Sequence, residues 1–300
     1  MGWRVVYIDK GHYLNLYLDN VKVSNEQKDH EITIPLSDIH TLILDNYQIV
    51  LTLQLMNRLM DYNVNVVLCN LEHKPHTLLV PQQGNRQATR MLLKQLEWTT
   101  TAKEILHQKI VKFKINNQLK LLKYLKKDPK AISLLEKYVT EVKKGDESNR
   151  EGLAAKVYFR ALFGTDFRRF EDDVFNAGLN YGYAILRSQI SKTVVAKGLN
   201  PALGIFHKGP ENAFNLSDDI IEPFRPLIDF YIATRFLGVD LFGKEQKVAL
   251  IEWTTSDVRY KDRRHTMFNV VSMFVDDIVR YFDTGDLEAV SEPIISYHEL

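Results

Sequence analysis

The first eighty residues alternate between apolar and polar positions. Leu14, Leu16 and Leu18 alternate with Tyr13, Asn15 and Tyr17, a period of two that predicts a strand with one buried face. The runs WRVVYI, VKVS, EITIPL and TLILD are equally short and rich in β-branched and aromatic residues. Turn signals such as Asp9-Lys10-Gly11 and Asp19-Asn20 separate them, so each is predicted as a strand. One helix is expected from roughly Thr52 to Tyr62, with Leu53, Leu55, Met56 and Leu59 on one side. VNVVLCN and HTLLV then return to strand. His12, His30, His40, His73 and His76 show no helical pairing and read as turn or surface histidines. The expectation for residues 1–80 is a β-sandwich-like domain with one helix. Its spare strand edges suit pairing with a second copy, so it reads as a dimerisation domain.

From residue 88 onward the apolar spacing is helical. Pro81 to Gln87 carries both Pro and Gly among polar residues and reads as a linker, 81–87. Leu92, Leu96, Ile105, Leu106, Ile110 and Phe113 recur at helical steps between Ala88 and Leu125, with the lysines expected on the other faces. Pro129 opens a further helix through Val142. Ser148-x-x-Glu151 fits a capping box before AAKVYFRALFG, which Gly164 would stop. Phe170 to Ala196 is the most regular helix. Its Ala177, Gly178, Gly182 and Ala184 allow close approach, and its Asn176, Asn180, Tyr181 and Tyr183 require partners if buried. Thr254 to Arg264 reads as a charged connector, and His265 to Phe282 as an amphipathic helix closed by Gly285. The end, 291–300, is expected to be a mobile tail. The predicted fold class is α+β: a small N-terminal β-rich domain, then a larger all-α domain over residues 88–290.

Three hundred residues suit two domains. The formal net charge is only +1, but it is unevenly spread. Arg86 to Lys130 holds 12 Lys/Arg against 3 Asp/Glu, and Glu211 to Leu300 holds 9 against 17. A basic middle and an acidic end fit a polyanion-binding face beside a metal-binding one; they equally fit solvated helix faces. The lone Cys69 excludes an internal disulfide and a cysteine-based metal site, and fits a reducing cytoplasm. No apolar run approaches the roughly 20 residues that span a bilayer, and the first residues lack a signal-peptide layout, so neither secretion nor a membrane anchor is expected.

The densest chemistry lies between Asn200 and Pro226. Ser217 reads as a helix cap, which makes Asp218 and Asp219 first-turn charges on the positive helix end. Glu222 has no such explanation. It shares a helical face with Asp219 and precedes Pro223, and Pro223 and Pro226 should distort the helix. His207 lies 15 residues before Glu222. Carboxylates with one imidazole suit Mg²⁺ or Mn²⁺ better than zinc.

The blocks REGLAAKVYFRALFG, NAGLNYGYAIL, GLNPALGIFH and LSDDIIEPFRPLIDF, in this order, resemble the CRISPR-associated integrases of the Cas-one family. The segment style looks most like the branch found with the single large effector nuclease, the type II systems. The resemblance implies three catalytic metal ligands, Glu151, His207 and Glu222, with Asp219 as an auxiliary acidic position and Mg²⁺ or Mn²⁺ as the ion. It turns Glu151 from a helix cap into a ligand. It implies insertion of captured DNA into a CRISPR array, by attack of a 3′-hydroxyl on repeat phosphodiesters. Lys208 and Arg225 then become candidates for holding phosphate oxygens, and Arg86 and Arg90 for gripping the DNA backbone. The implied partners are double-stranded DNA (prespacer and repeat), a second copy of the chain, a small Cas-two subunit completing a heterohexamer-type complex, and further type II adaptation proteins. Two other readings stay open: a structure-selective nuclease that does not integrate, and a non-enzymatic DNA-binding scaffold whose carboxylates are caps and core polars.

Overall fold

The computed structural model describes residues 2, 4–10, 12–25, 30–79 and 87–297. The fold is α+β, with the strands gathered at the start and helices dominating the rest. It divides into two compact units, Met1–Met91 with Val195–Leu199, and Leu92–Val194 with Asn200–Leu300.

Among the described residues the first unit holds two four-stranded sheets. One sheet runs β1 (Arg4–Ile8), β5 (Ile39–Leu44), β7 (Asn65–Cys69) and β8 (Pro75–Leu79). Pairings β1–β5 and β5–β7 are parallel, and β7–β8 is antiparallel. All six residues of β5 are buried, as expected of a central strand covered on both faces. The other sheet runs β4 (Glu31–Pro35), β3 (Asn20–Ser24), β2 (Tyr13–Tyr17) and β6 (Val50–Leu51). Leu14, Val21, Leu42, Val66 and the helix residues Leu55 and Leu59 share one core. That helix, α1 (Leu53–Asp61), is capped by the Thr52 hydroxyl, which accepts from Leu55 N. The alternating pattern located these strands but not their parallel pairing, which depends on crossover connections. The segment expected to form a linker lies outside the described residues up to residue 86.

The apolar run from Ala88 forms two helices. The helix α2 (Ala88–Leu96) ends before Thr99, whose hydroxyl caps α3 (Thr100–Tyr124). Then come α4 (Pro129–Glu141), α5 (Arg150–Phe163), α6 (Val174–Ala196), α7 (Asn215–Ile221), α8 (Arg225–Arg235), α9 (Lys244–Trp253) and α10 (Met267–Thr284). Gly182 on α6 is required by packing: a Cβ there would stand 2.6 Å from Ile228 Cγ2 of α8.

Four expectations are corrected here. The start of α6 is Val174, not Phe170, because Asp173 accepts from Asn176 N and serves as the helix start. Ser217 is not a cap; it lies inside α7, buried, and its Oγ accepts from Ser191 Oγ. The charged connector is a hairpin, β9 (Asp257–Tyr260) with β10 (Arg263–Thr266), turning on Lys261 and Asp262 at positive φ. The end of the chain is fixed as far as residue 297. Ile295 and Tyr297 are buried, Ile294 pairs with Arg259, and the Tyr297 hydroxyl donates to Asn117 O; residues 298–300 lie outside the described residues.

Candidate active site

The site is built around α3. Most of its length is enclosed, and its buried residues include His107, Lys114, Asn117 and Gln118 among the apolar ones. Buried polar groups need partners. Asn117 Nδ2 donates to Pro223 O at 2.9 Å and to Pro293 O at 2.7 Å, which holds the turn bearing Glu222 against the helix. Lys114 Nζ donates to Glu151 Oε1 at 2.6 Å and is ion-paired with Glu222 Oε2. Carboxylates 71 positions apart in sequence therefore meet on one ammonium. Burial alone would lower the pKa of Lys114; Glu222 and Glu151 outweigh it and raise it.

Glu151 reaches this position because it is not a cap. The expected box at Ser148 does not form; among the described residues Ser148 Oγ has no hydrogen-bond partner. Asn149, at φ 48°, caps α5 through Gly152 N, and Asp146 accepts from Arg150 N and Glu151 N. With the orphan amides satisfied by these two residues, the Glu151 side chain is released to Lys114. His107 Nε2 lies 3.9 Å from Glu151 Oε2, and burial lowers its pKa against the pull of Glu151.

Glu222 begins a single 3₁₀ turn, Glu222–Phe224, between α7 and α8. Pro223 and Pro226 account for this break, since neither offers a backbone donor. Arg225 Nε donates to Glu222 Oε1 at 3.0 Å, and its guanidinium lies over the Tyr183 ring. Burial favours the neutral acid, yet Arg225 and Lys114 together hold Glu222 down at about 2.

His207 is held by backbone geometry as much as by its own bonds. Gln95 Nε2 donates to Asn200 O and Leu203 O while Gln95 Oε1 accepts from Asn200 N. Asn215 Nδ2 donates to Ala202 O and Gly209 O. Gly204 passes so close that a Cβ would sit 2.3 Å from His207 O. Asp219 accepts from Ile205 N, Phe206 N and His207 N, and from His207 Nδ1 at 2.7 Å. Asp219 is thus not a helix-start charge. Four donors occupy its two oxygens, so its carboxylate orients the His207 ring. The Asp219 hydrogen bond raises the His207 pKa, against burial. Phe206 stacks on His107 at 3.7 Å between ring centroids.

A cavity of about 650 Å³ opens beside Glu222 and Lys114. Among the described residues seven Lys/Arg, Lys156, Arg160, Arg168, Arg169 and Arg187 among them, line it against three carboxylates, so its field favours anions. At its floor Asp229 accepts from the Tyr158 and Tyr183 hydroxyls; burial raises its pKa to about 6 although both hydrogen bonds oppose this.

Of the residues expected to act, Glu151 and Glu222 are brought together through Lys114, and His207 is fixed by Asp219. Among the described residues no three His, Cys, Asp or Glu side chains converge as a ready coordination sphere. The donor chemistry nevertheless fits a divalent cation, because both glutamates already grip one positive charge, and Asp219 engages Nδ1 of His207 and leaves Nε2 for a ligand. Arg225 lines the cavity but is bound to Glu222. Lys208 and Arg90 are exposed, on the loop after His207 and on α2. Arg86 lies outside the described residues. Lys114, His107, Gln95, Asn215 and the cavity residues Arg160, Arg168, Arg169 and Arg187 are not among the residues expected from the sequence. For Lys114 a signal existed: it falls one helical turn after Ile110, within an apolar stripe.

A family model described as CRISPR associated protein Cas1 matches residues 5–238. The chain is 36% identical over 232 residues to the CRISPR-associated endonuclease Cas1 of Neisseria meningitidis serogroup C (strain 8013), covering 77% of this chain and 75% of that protein. Two solved structures share the fold at 19% identity. One is a casposase bound to integration product, with TM-score 0.75 over 95% of this chain and 92% of that one. The other is a Cas6-RT-Cas1–Cas2 complex, with TM-score 0.72 over 96% of this chain and 36% of that one. The arrangement of strands and helices, the order of the site-bearing blocks and these matches agree: the chain belongs to the Cas1 family of CRISPR-associated proteins.

Proposed function

We propose that the chain is a metal-dependent DNA integrase and endonuclease that inserts captured DNA into a CRISPR array. The observation that carries this reading is the meeting of Glu151 and Glu222 on a buried cation beside an arginine-lined cavity. Glu151, His207 and Glu222 would hold Mg²⁺ or Mn²⁺. When bound, the ion supplies Lewis acidity toward a phosphoryl oxygen.

The chain's own residues account for the rest. Asp219 accepts the Nδ1 proton of His207 and presents Nε2. Arg225 keeps Glu222 ionised and in place. Arg160, Arg169 and Arg187 give phosphates a positive seat, and the exposed Phe170 at the rim offers a face on which a base stacks. The reaction is a transesterification. The 3′-hydroxyl oxygen of the incoming strand forms a bond to phosphorus as the bond to the repeat's 3′ oxygen breaks, and the proton ends on that departing oxygen.

The first unit is the dimerisation element in this reading. Tyr13 and Tyr17 on β2, and Val50 paired opposite Tyr13, leave exposed apolar surface on one sheet face. A Cas2-type subunit and type II adaptation proteins complete the assembly in the cytoplasm. Among the described residues no helix is long and apolar enough to cross a membrane.

The test is strand transfer of a short duplex with free 3′-hydroxyls into a repeat-bearing plasmid, with the Cas2-type partner and Mn²⁺ or Mg²⁺. Joined products are expected, and loss of them in Glu151→Ala, His207→Ala and Glu222→Ala. Equal cutting of repeat and random DNA without joining would favour the non-integrating nuclease. DNA binding with no metal-dependent product would leave the scaffold.

A further inference from the structure

We propose that Lys114 is an internal counter-ion seated between Glu151 and Glu222, and that a divalent metal enters by displacing its ammonium into the arginine-lined cavity. This rests on the reading of the two glutamates as metal ligands.

Charge balance leads to it. Glu151 and Glu222 bring two negative charges, Lys114 and Arg225 two positive ones. The cluster, buried at Lys114 and Glu222 and half-buried at Glu151 and Arg225, is neutral without a metal, which is the condition for drawing ionised groups away from water. Adding a divalent ion without moving anything would leave two uncompensated positive charges there; moving the Lys114 ammonium out reduces that to one. Arg225 is not the group to leave: it is held over Tyr183 and bonded to Glu222 through Nε. Lys114 is a compact head on a flexible stem, and it already lines the cavity. It therefore has space to move into.

That space is positive, with Arg160, Arg169 and Arg187 on its walls. A displaced ammonium is unwelcome there until phosphates arrive. DNA in the cavity would give it a partner, so DNA should strengthen metal binding, and metal should strengthen DNA binding by the same factor. The lysine then has two roles: it keeps the glutamates paired while the site is idle, and it turns to a phosphate when metal and DNA are both present.

The measurement is Mn²⁺ binding to the purified chain, read from the free-ion electron paramagnetic resonance signal, with thermal melting alongside. Lys114→Met removes the charge and keeps the stem. It is expected to tighten Mn²⁺ binding at least about tenfold, lower the metal-free melting temperature, and recover it with Mn²⁺ but not with NaCl of equal ionic strength. A short duplex should tighten Mn²⁺ binding to the unaltered protein severalfold and have less effect on Lys114→Met. Unchanged or weaker Mn²⁺ binding by Lys114→Met would overturn the proposal. If that variant does not fold without metal, Lys114→Arg decides: a retained, bulkier cation should weaken Mn²⁺ binding, and equal or tighter binding refutes displacement. Glu222→Gln separates the two readings. Loss of Mn²⁺ binding in Glu222→Gln with no effect at Lys114 sinks only the counter-ion, whereas retained binding in Glu222→Gln sinks the ligand assignment beneath it.

Discussion

Replacing Asp219 with asparagine is the sharpest probe of how His207 is held. The carboxylate is buried and accepts from Ile205 N at 2.5 Å and Phe206 N at 3.1 Å on one oxygen, and from His207 N at 3.1 Å and His207 Nδ1 at 2.7 Å on the other. Asparagine keeps the shape but turns one oxygen into a donor. With the NH₂ toward Ile205 and Phe206 two backbone donors lose their acceptor; turned toward His207, only His207 N does, because Nδ1 can take the accepting tautomer. A buried donor left unsatisfied costs about 1–3 kcal/mol, so Asp219→Asn, taking the better orientation, should lose about 1–3 kcal/mol. That is a sizeable share of the roughly 5–15 kcal/mol that holds a domain folded. His207→Gln, which removes only the ring's bond, should lose about 1 kcal/mol. Urea unfolding of the metal-free protein measures both, with an unchanged dependence on denaturant as the sign that the unfolded state is the same. Asp219 is also the first cause of the raised His207 pKa, so in Asp219→Asn the ring should titrate lower by nuclear magnetic resonance. A loss under about 1 kcal/mol, or an unmoved His207, would refute the claim that this carboxylate sets the loop.

Two further outcomes follow from the packing and charges. Against burial, Arg225 and Lys114 hold Glu222 well below the usual carboxylate range, so its ionised form stabilises the fold above that range, and the stability is lost as the pH falls below it. Glu222→Gln should flatten the acid limb of the metal-free stability profile by more than about 1 kcal/mol; an unchanged limb would count against the ion pairs. Gly182→Ala would place a Cβ 2.6 Å from Ile228 Cγ2 and 3.2 Å from Leu250 Cδ2, and overpacking of this kind costs about 1–3 kcal/mol; a calorimetric melt as stable as the unaltered protein would show that α8 yields freely.

Much of the architecture was legible because it is local. Period-two alternation located β2, and the prolines around Glu222 announced the broken helix that separates α7 from α8. Polar chemistry was less legible where two local rules competed. Ser148 with Glu151 spelled a capping box, but Asp146 and Asn149 took those amides instead, which needs Gly145 and Asn149 at positive φ. Asp219 looked like a charge on a helix start, but it turned toward amides 12 to 14 residues earlier. In both cases the deciding partner lies on a loop whose path no periodicity describes.

The sequence by itself determined the α+β class and most of its helices and strands, since helix and strand periods depend on near neighbours. It also carried the block order on which the family resemblance rests. The spacing of Lys114 on an apolar stripe hinted at burial, but only the tertiary structure decided that it sits between Glu151 and Glu222. It alone decided that Gln95 and Asn215 hold the His207 loop and that arginines from α5, α6 and the segment between them line one cavity. A buried charge is settled by which opposite charges the fold brings within a few ångströms, and those partners lie 37 and 108 residues from Lys114 in the chain.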